Sequence, residues 1–282
     1  MDERLLRSID AYMDEAPRAS ARVETVGPFD LFLGRWWPFY ARPALAASAF
    51  KRRDVEAVLA RQRALEVPEA FEWIDDLRPD VALAVRAADL EAAEHPLMYL
   101  DALMPPRVPD GFAVSLLGPA DDLAPPRAVA EVGFAHPGTA AGAASHDEAA
   151  AEAGKPLDMS MDAFVCGEMS AGRTLVAVAC AETADPPPLP VAVGTAVIRD
   201  DVAELVGIAT LPAFRRKGIA SALTSALARG TLKLGCPTVF LTSDDEIVAR
   251  IYERVGFSRI GTACSAERPV SGAAERPTPA EA

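Results

Sequence analysis

The chain has 282 residues and a formal net charge of −13, with hydrophobic residues at 50% and aromatic residues at only 6%. That length admits one large domain or two smaller ones, and the apolar share is ample for a core built mainly of Ala, Val and Leu. The acidic balance argues against general nucleic-acid binding, because Lys and Arg supply phosphate affinity, and no apolar run approaches the roughly 20 residues that cross a bilayer. It permits a cationic substrate such as an amine, although an acidic surface also serves solubility. The four cysteines, Cys166, Cys180, Cys236 and Cys264, show no CxxC spacing and no disulfide framework. With a charged N-terminus that lacks a signal-peptide apolar segment, this predicts a reduced, cytoplasmic protein.

Residues 1–15 read as a helix with Leu5, Leu6, Ile9 and Met13 on one side. Residues 26–43, VGPFDLFLGRWWPFYARP, read as extended, with Trp36, Trp37, Phe39 and Tyr40 forming an aromatic cluster of core type. Asp54 is placed to cap a helix that Pro68 stops, followed by helical stretches at 69–77 and 80–90 and a short strand at 95–100. The Pro- and Gly-rich MPPRVPDG, residues 104–111, is the expected domain boundary.

Beyond it the pattern predicts a strand from Gly111, a helical stretch near 128–133, and a loop of small residues at 136–155 leading into a helix. Three closely spaced strands follow, TLVAVACAETA, VAVGTAVIRD and VAELVGIAT, with DPPPLP at 185–190 and Asp200–Asp201 as their turns. Then come a basic turn, a helix over 218–234, the strand TVFLTS, the helix EIVARIYERVG closed by Gly256, and the strand FSRIGTACS. Residues 267–282, where AERP recurs within Ala, Pro and Glu, read as a disordered tail. Meander strands followed by helix, strand, helix and strand predict an α/β (α+β) fold with a mixed sheet.

The basic turn is the most informative stretch. In LPAFRRKGIASAL, residues 211–223, three cations and a glycine stand between a strand and an amphipathic helix whose Ile219, Leu223, Leu227 and Leu234 recur on one face. Helix-start amides lack internal partners and the dipole end is positive, so basic side chains there are poorly explained as mere solvation. Successive amides from Arg216 to Ser221, with Gly218 allowing close approach, predict a phosphate or pyrophosphate site. Neither a Walker A loop nor a GxGxxG fingerprint is present.

Arg215-Arg216-Lys217-Gly218-Ile219-Ala220 resembles the acyl-coenzyme A motif of the GNAT N-acetyltransferase superfamily, R/Q-x-x-G-x-G/A, and IYERVGF resembles the family's second marker. The resemblance covers about residues 111–266. It implies a mostly antiparallel mixed sheet with splayed central strands and flanking helices over residues 109–266. Residues 1–108 would be an N-terminal α/β domain without a cofactor motif, similar to the degenerate partner domain of tandem members and suited to walling an acceptor pocket or forming a homodimer contact. It further implies acetyl-CoA as acyl donor, with no metal, and a primary amine acceptor, of a small molecule or a protein, attacking directly in a ternary complex. Ile208, Ala209 and Thr210 would pair with the pantetheine arm; Arg215, Arg216, Lys217, Gly218, Ile219, Ala220 and Ser221 would hold the pyrophosphate.

Tyr252 matches the family's thiol-facing general acid, and Glu204 the position of a general base in one branch; the other branch's position is Phe240 here. Asp245 stands where an Asn is common, which sets an anion near the carrier. Glu168, His136 and His146 are weaker base candidates, and Cys236 and Cys264 read as inert packing residues. A non-catalytic acyl-CoA binding or sensing module stays open beside the enzyme reading, as does another phosphate-bearing ligand at the turn.

Overall fold

The computed structural model describes residues 2–154, 159–182 and 189–268. Helix α1 (Glu3–Glu15) starts at Asp2, whose carboxylate accepts from the N–H groups of Arg4 and Leu5. Strands β1 (Ala21–Val26), β2 (Phe29–Gly34) and β3 (Arg42–Pro43), helix α2 (Arg52–Ala64), strand β4 (Ala70–Ile74) and helix α3 (Pro79–Ala87) follow. After them come strands β5 (Ala92–Leu100) and β6 (Phe112–Leu116) and helices α4 (Ala124–Ala135), α5 (His146–Ala153) and α6 (Met159–Ser170). The meander β7 (Thr174–Ala181), β8 (Leu189–Arg199) and β9 (Val202–Thr210) leads to α7 (Ile219–Lys233), β10 (Thr238–Thr242), α8 (Glu246–Glu253) and β11 (Phe257–Glu267).

Two compact units emerge, and they do not divide at 108/109. One comprises the chain through Ala19 with His95–Ala263; the other is Ser20–Glu94 with the chain from Cys264 onward. The physical reason is α1, whose Leu6, Ile9, Tyr12 and Met13 are buried. Tyr12 donates its hydroxyl to the Val197 carbonyl at 2.8 Å and sets its ring edge-on to Phe240 at 5.2 Å, which ties α1 to the first unit.

In the first unit the strand order is β11-β5-β10-β9-β8-β7-β6. Meander neighbours pair antiparallel, whereas β10 pairs parallel to β9 because α7 carries the chain back between them. The sheet is therefore mixed and mostly antiparallel, with helices flanking it. Ile219, Leu223 and Leu227 of α7 are at most 2% exposed and pack on Ala177, Ala192, Ala196 and Leu205 of the sheet. On the other face Val129 and Val132 of α4 pack against Val176, Val178, Val193 and Ala209. Gly256 has φ +110°, and a Cβ there would lie 1.8 Å from the Ala102 carbonyl oxygen, so only glycine closes α8 against this segment.

The second unit has its own core, in which Phe29, Val55, Val58, Phe71, Trp73, Val81 and Val85 are fully buried. Its three-stranded sheet runs β1-β2-β3, antiparallel throughout.

Several local expectations change. Residues 69–77 were expected to be helical and instead form β4, where Ala70, Phe71, Trp73 and Ile74 bury both faces of an extended segment. Asp54 does not cap α2; the helix begins at Arg52, and Asp54 accepts from the Lys51 N–H at 3.0 Å from its third position. Within 136–155 a helix, α5, starts after Ser145, with Glu148 accepting from the Ser145 N–H at 2.9 Å. Helix α6 is not legible as a stripe, because only Glu168 and Met169 of it are buried. The DPPPLP turn falls mostly, and the 267–282 tail almost wholly, outside the described residues.

Candidate active site

The site is built where β9 and β10 part. Their ladder has three pairs, Thr238 with Val202, Val239 with Ala203, and Phe240 with Glu204. Past Glu204 the β9 backbone keeps its β8 partners, Ala209 opposite Val193 and Thr210 opposite Ala192. On the β10 side it opens a gap, and Gly207 there is exposed. Ile208, Ala209 and Thr210 thus line one side of a splay. The register break between Val193 and Thr195 rotates the end of the strand, so that Ile208 packs with the α7 cluster and Ala209 with the α4 cluster.

The chain then turns sharply into α7. Arg216 takes φ +64° and Gly218 φ +84°, and α7 starts at the next residue. The first helical hydrogen bond runs from the Ala222 N–H to the Gly218 carbonyl. Among the described residues, the backbone N–H groups from Arg216 to Ser221 donate to no protein acceptor. Alternating positive φ values and a helix start aim such groups into one concavity. Arg216, Lys217 and Gly218 are exposed, and the Lys217 Nζ stands over the rings of Phe214 at 5.3 Å and Phe112 at 5.9 Å.

Arg215 has a different task from its neighbours. Its guanidinium donates to the carbonyls of Thr210 at 3.1 Å, Gly133 at 3.0 Å, His136 at 2.6 Å and Ala140 at 3.2 Å. Burial pushes its pKa down. With four carbonyls satisfied, this side chain fastens the 133–140 segment to the end of β9 instead of facing an anion. The motif's first residue is structural here, and its sequence signal does not say so.

Tyr252 is 8% exposed, in the cluster that holds Ile219, Leu223, Val255 and Phe257. Burial first, and the Asp244 charge second, push its phenol up to about 12. Among the described residues its hydroxyl makes no hydrogen bond. Asp245 is explained by its cap: its carboxylate accepts from the Val248 N–H at 2.7 Å and begins α8. That anion is held on its own helix.

Glu204 is half-buried and adjoins Leu205, which faces α7; strand alternation therefore puts Glu204 on the opposite face. There it meets α1. Burial and then the Glu204 charge hold the Tyr12 phenol well above its ordinary pKa. Tyr12 was not singled out by sequence reasoning, because nothing in residues 1–15 reveals which sheet face the helix covers.

The remaining candidates are accounted for elsewhere. Glu168 is bound by Arg173 at 2.5 Å and Arg199 at 3.0 Å, and Arg173 foremost holds its carboxyl below the usual range. His136 ends α4, its Nδ1 2.9 Å from the Val132 carbonyl, and His146 opens α5. Burial pushes the thiols of Cys236 to about 11 and Cys264 to about 12, so both stay protonated and unreactive near neutral pH.

A mixed, mostly antiparallel sheet splayed at one parallel pair, with an amide-rich turn at the splay, is the GNAT acetyltransferase fold. The structure matches a GCN5-related N-acetyltransferase from Kribbella flavida with a TM-score of 0.68 at 18% identity, over 94% of this chain and 96% of that one. A GCN5-related N-acetyltransferase-like protein from Streptococcus suis matches with a TM-score of 0.54 at 11% identity, over 94% and 98%. A tandem GNAT protein from the clavulanic acid biosynthesis pathway gives 0.52 at 13%, over 85% and 78%. Residues 147–257 match the model of the Acetyltransferase (GNAT) family. No curated protein matches the chain.

Proposed function

We propose that this chain is an acetyl-CoA-dependent N-acetyltransferase that joins donor and primary amine in a ternary complex. The observation that carries the reading is the run of unclaimed backbone N–H groups from Arg216 to Ser221, at the start of α7 and beside the splay. A diphosphate is the ligand whose size and charge suit several convergent amides with Arg216 and Lys217 beside them. Gly218, with no Cβ at φ +84°, leaves the backbone open to it. The open edge of β9 at Ile208 and Thr210 suits an extended amide-bearing arm lying in the splay like an added strand.

Acetyl-CoA supplies an activated thioester. The chain's part is to take a proton from the attacking amine and to stabilise the departing thiolate. Glu204 lies on the α1-covered face of β9 and Tyr252 in the cluster on the α7 face, and we read the two as base and acid. A carboxylate at Glu204 accepts the ammonium proton as the amine attacks. The Tyr252 phenol, with a pKa near 12, is a reluctant acid. It therefore acts chiefly by donating a hydrogen bond to the sulfur, and the thiolate of pKa about 8.5 needs little more. The protonated cysteines favour direct attack over an acyl-enzyme.

The acceptor is read as an amine of a small molecule or a protein, which agrees with the acidic chain. Release of free thiol from acetyl-CoA against a panel of amines tests the proposal: saturable, amine-dependent release is expected. Tight acetyl-CoA binding with no release on any amine would leave a binding module in its place.

A further inference from the structure

The sheet face that α1 covers carries a polar group on β10 that the donor side does not use. Val239 and Leu241 of β10 join the α7 cluster, so strand alternation turns Phe240 and Thr242 to the α1 face. Phe240 is the register partner of Glu204, and its ring meets that of Tyr12 edge-on at 5.2 Å. Parallel partners share a face, so Glu204, Phe240 and Tyr12 stand together where the β9–β10 ladder ends. Thr242 follows one side-chain step further, about 7 Å along the strand, past the last rung and within the splay. Its backbone is fixed from the other side, where it pairs antiparallel with Leu97 of β5. Two residues on is Asp244, whose charge reaches the Tyr252 phenol. Thr242 therefore lies along β10 between the groups read as base and acid.

The second observation is the state of that side chain. The Thr242 Oγ1 is buried and has no hydrogen-bond partner among the described residues. Its neighbour Ser243 shows the contrast, donating its hydroxyl to the Asp245 carbonyl at 2.9 Å. A buried hydroxyl without a partner is unfavourable unless a bound molecule completes it. The donor lies along β9 and the turn, which leaves the acceptor as that molecule. An amine that comes to Glu204 carries more than one N–H. The carboxylate takes one, and the next needs an oxygen with a free lone pair. The Phe240 ring beside Glu204 offers none, whereas the Thr242 hydroxyl offers two.

The geometry points to Thr242 as an acceptor-binding residue: its Oγ1 accepts an N–H of the incoming amine on the α1 face and holds the nitrogen beside Glu204. The inference rests on the N-acetyltransferase reading above and adds to it the side from which the acceptor enters and the side chain that holds it. Donor binding does not involve this hydroxyl.

Thr242→Val tests it, because the exchange of hydroxyl for methyl keeps the shape of the side chain. Thiol release from acetyl-CoA is measured on the full chain against n-butylamine, benzylamine and a glycyl peptide, and acetyl-CoA affinity is measured by calorimetry. For the amines that the wild type uses, KM is expected to rise about tenfold in the variant, the scale of one hydrogen bond, with kcat and acetyl-CoA affinity within about twofold. Thr242→Ser, which restores the hydroxyl, is expected to return KM toward the wild-type value. The melting temperature of Thr242→Val is expected to hold or rise, since an unpaired buried hydroxyl has been removed. An unchanged amine KM in Thr242→Val overturns the inference and leaves the acetyl-transfer reading standing. So does a parallel loss of acetyl-CoA affinity, which would make Thr242 a packing residue of the splay. Wild-type protein that releases no thiol with any of the three amines overturns both together.

Discussion

The arginines of the second unit and the cations around the α7 turn make an instructive contrast. In the second unit Arg42 meets Glu72 at 3.1 Å, Arg61 meets Glu24 at 2.5 Å and Arg63 meets Glu69 at 2.8 Å. Around the turn, Arg107, Arg216, Lys217 and Arg254 meet no carboxylate among the described residues, although acids outnumber bases 41 to 28 in the chain. Here the unpaired cations gather beside the unclaimed amides of the turn, where the proposal above places an anion from outside. Arg215 sharpens the contrast, since it sits within the basic run yet is satisfied by four carbonyls. Where partners are internal, the cation is architecture; around the turn, the proposal makes it a binding group.

The strongest way to break this contrast is Gly218→Glu. It adds like charge where the diphosphate is proposed to sit and forces a Cβ onto φ +84°. Acetyl-CoA affinity is expected to fall more than about hundredfold, read by calorimetry, while the melting temperature drops only modestly.

Tyr252→Phe comes next. Turnover is expected to fall about tenfold or more with little change in acetyl-CoA affinity, the split expected of a group acting on the leaving sulfur. Since burial raises this phenol to about 12, its protonated form persists at every lower pH. The wild-type rate is therefore expected to show no loss from tyrosine ionisation until pH nears that value. An alkaline limb shared by wild type and variant would belong to another group.

How much of this was legible beforehand depends on the range of the forces involved. The turn, α7 and the strands around them were readable because a glycine, a charge run and a 3.6-residue apolar stripe are local signals. The β4 segment was misread because EAFEWIDDL mixes good helix formers with aromatics, and burial on both faces decided the outcome. Arg215 was assigned with its neighbours because its acceptors, Gly133, His136 and Ala140, lie far off in sequence. The 104–110 segment reads as a boundary from its prolines; only the fold brings Pro109 over Gly218 and Arg107 into a cleft beside the turn.

Arg215→Ala sharpens the comparison from the structural side. Four carbonyls lose their donor, so destabilisation of about 2–3 kcal/mol is expected in denaturant titration. Any loss of acetyl-CoA affinity should follow loosening of the 133–140 segment. Arg61→Ala carries the smallest expected effect. Its pair with Glu24 is only partly buried and lies in the second unit, so a slight fall in melting temperature and no change in acetyl-CoA affinity are expected.

Amide hydrogen exchange, followed residue by residue with and without coenzyme A, tests the central claim most directly. Exchange at Arg216 to Ser221 should be fast in the free protein and become the most strongly slowed on binding, because those N–H groups gain acceptors only from the ligand. Saturating coenzyme A that leaves these six amides exchanging as before would contradict the account.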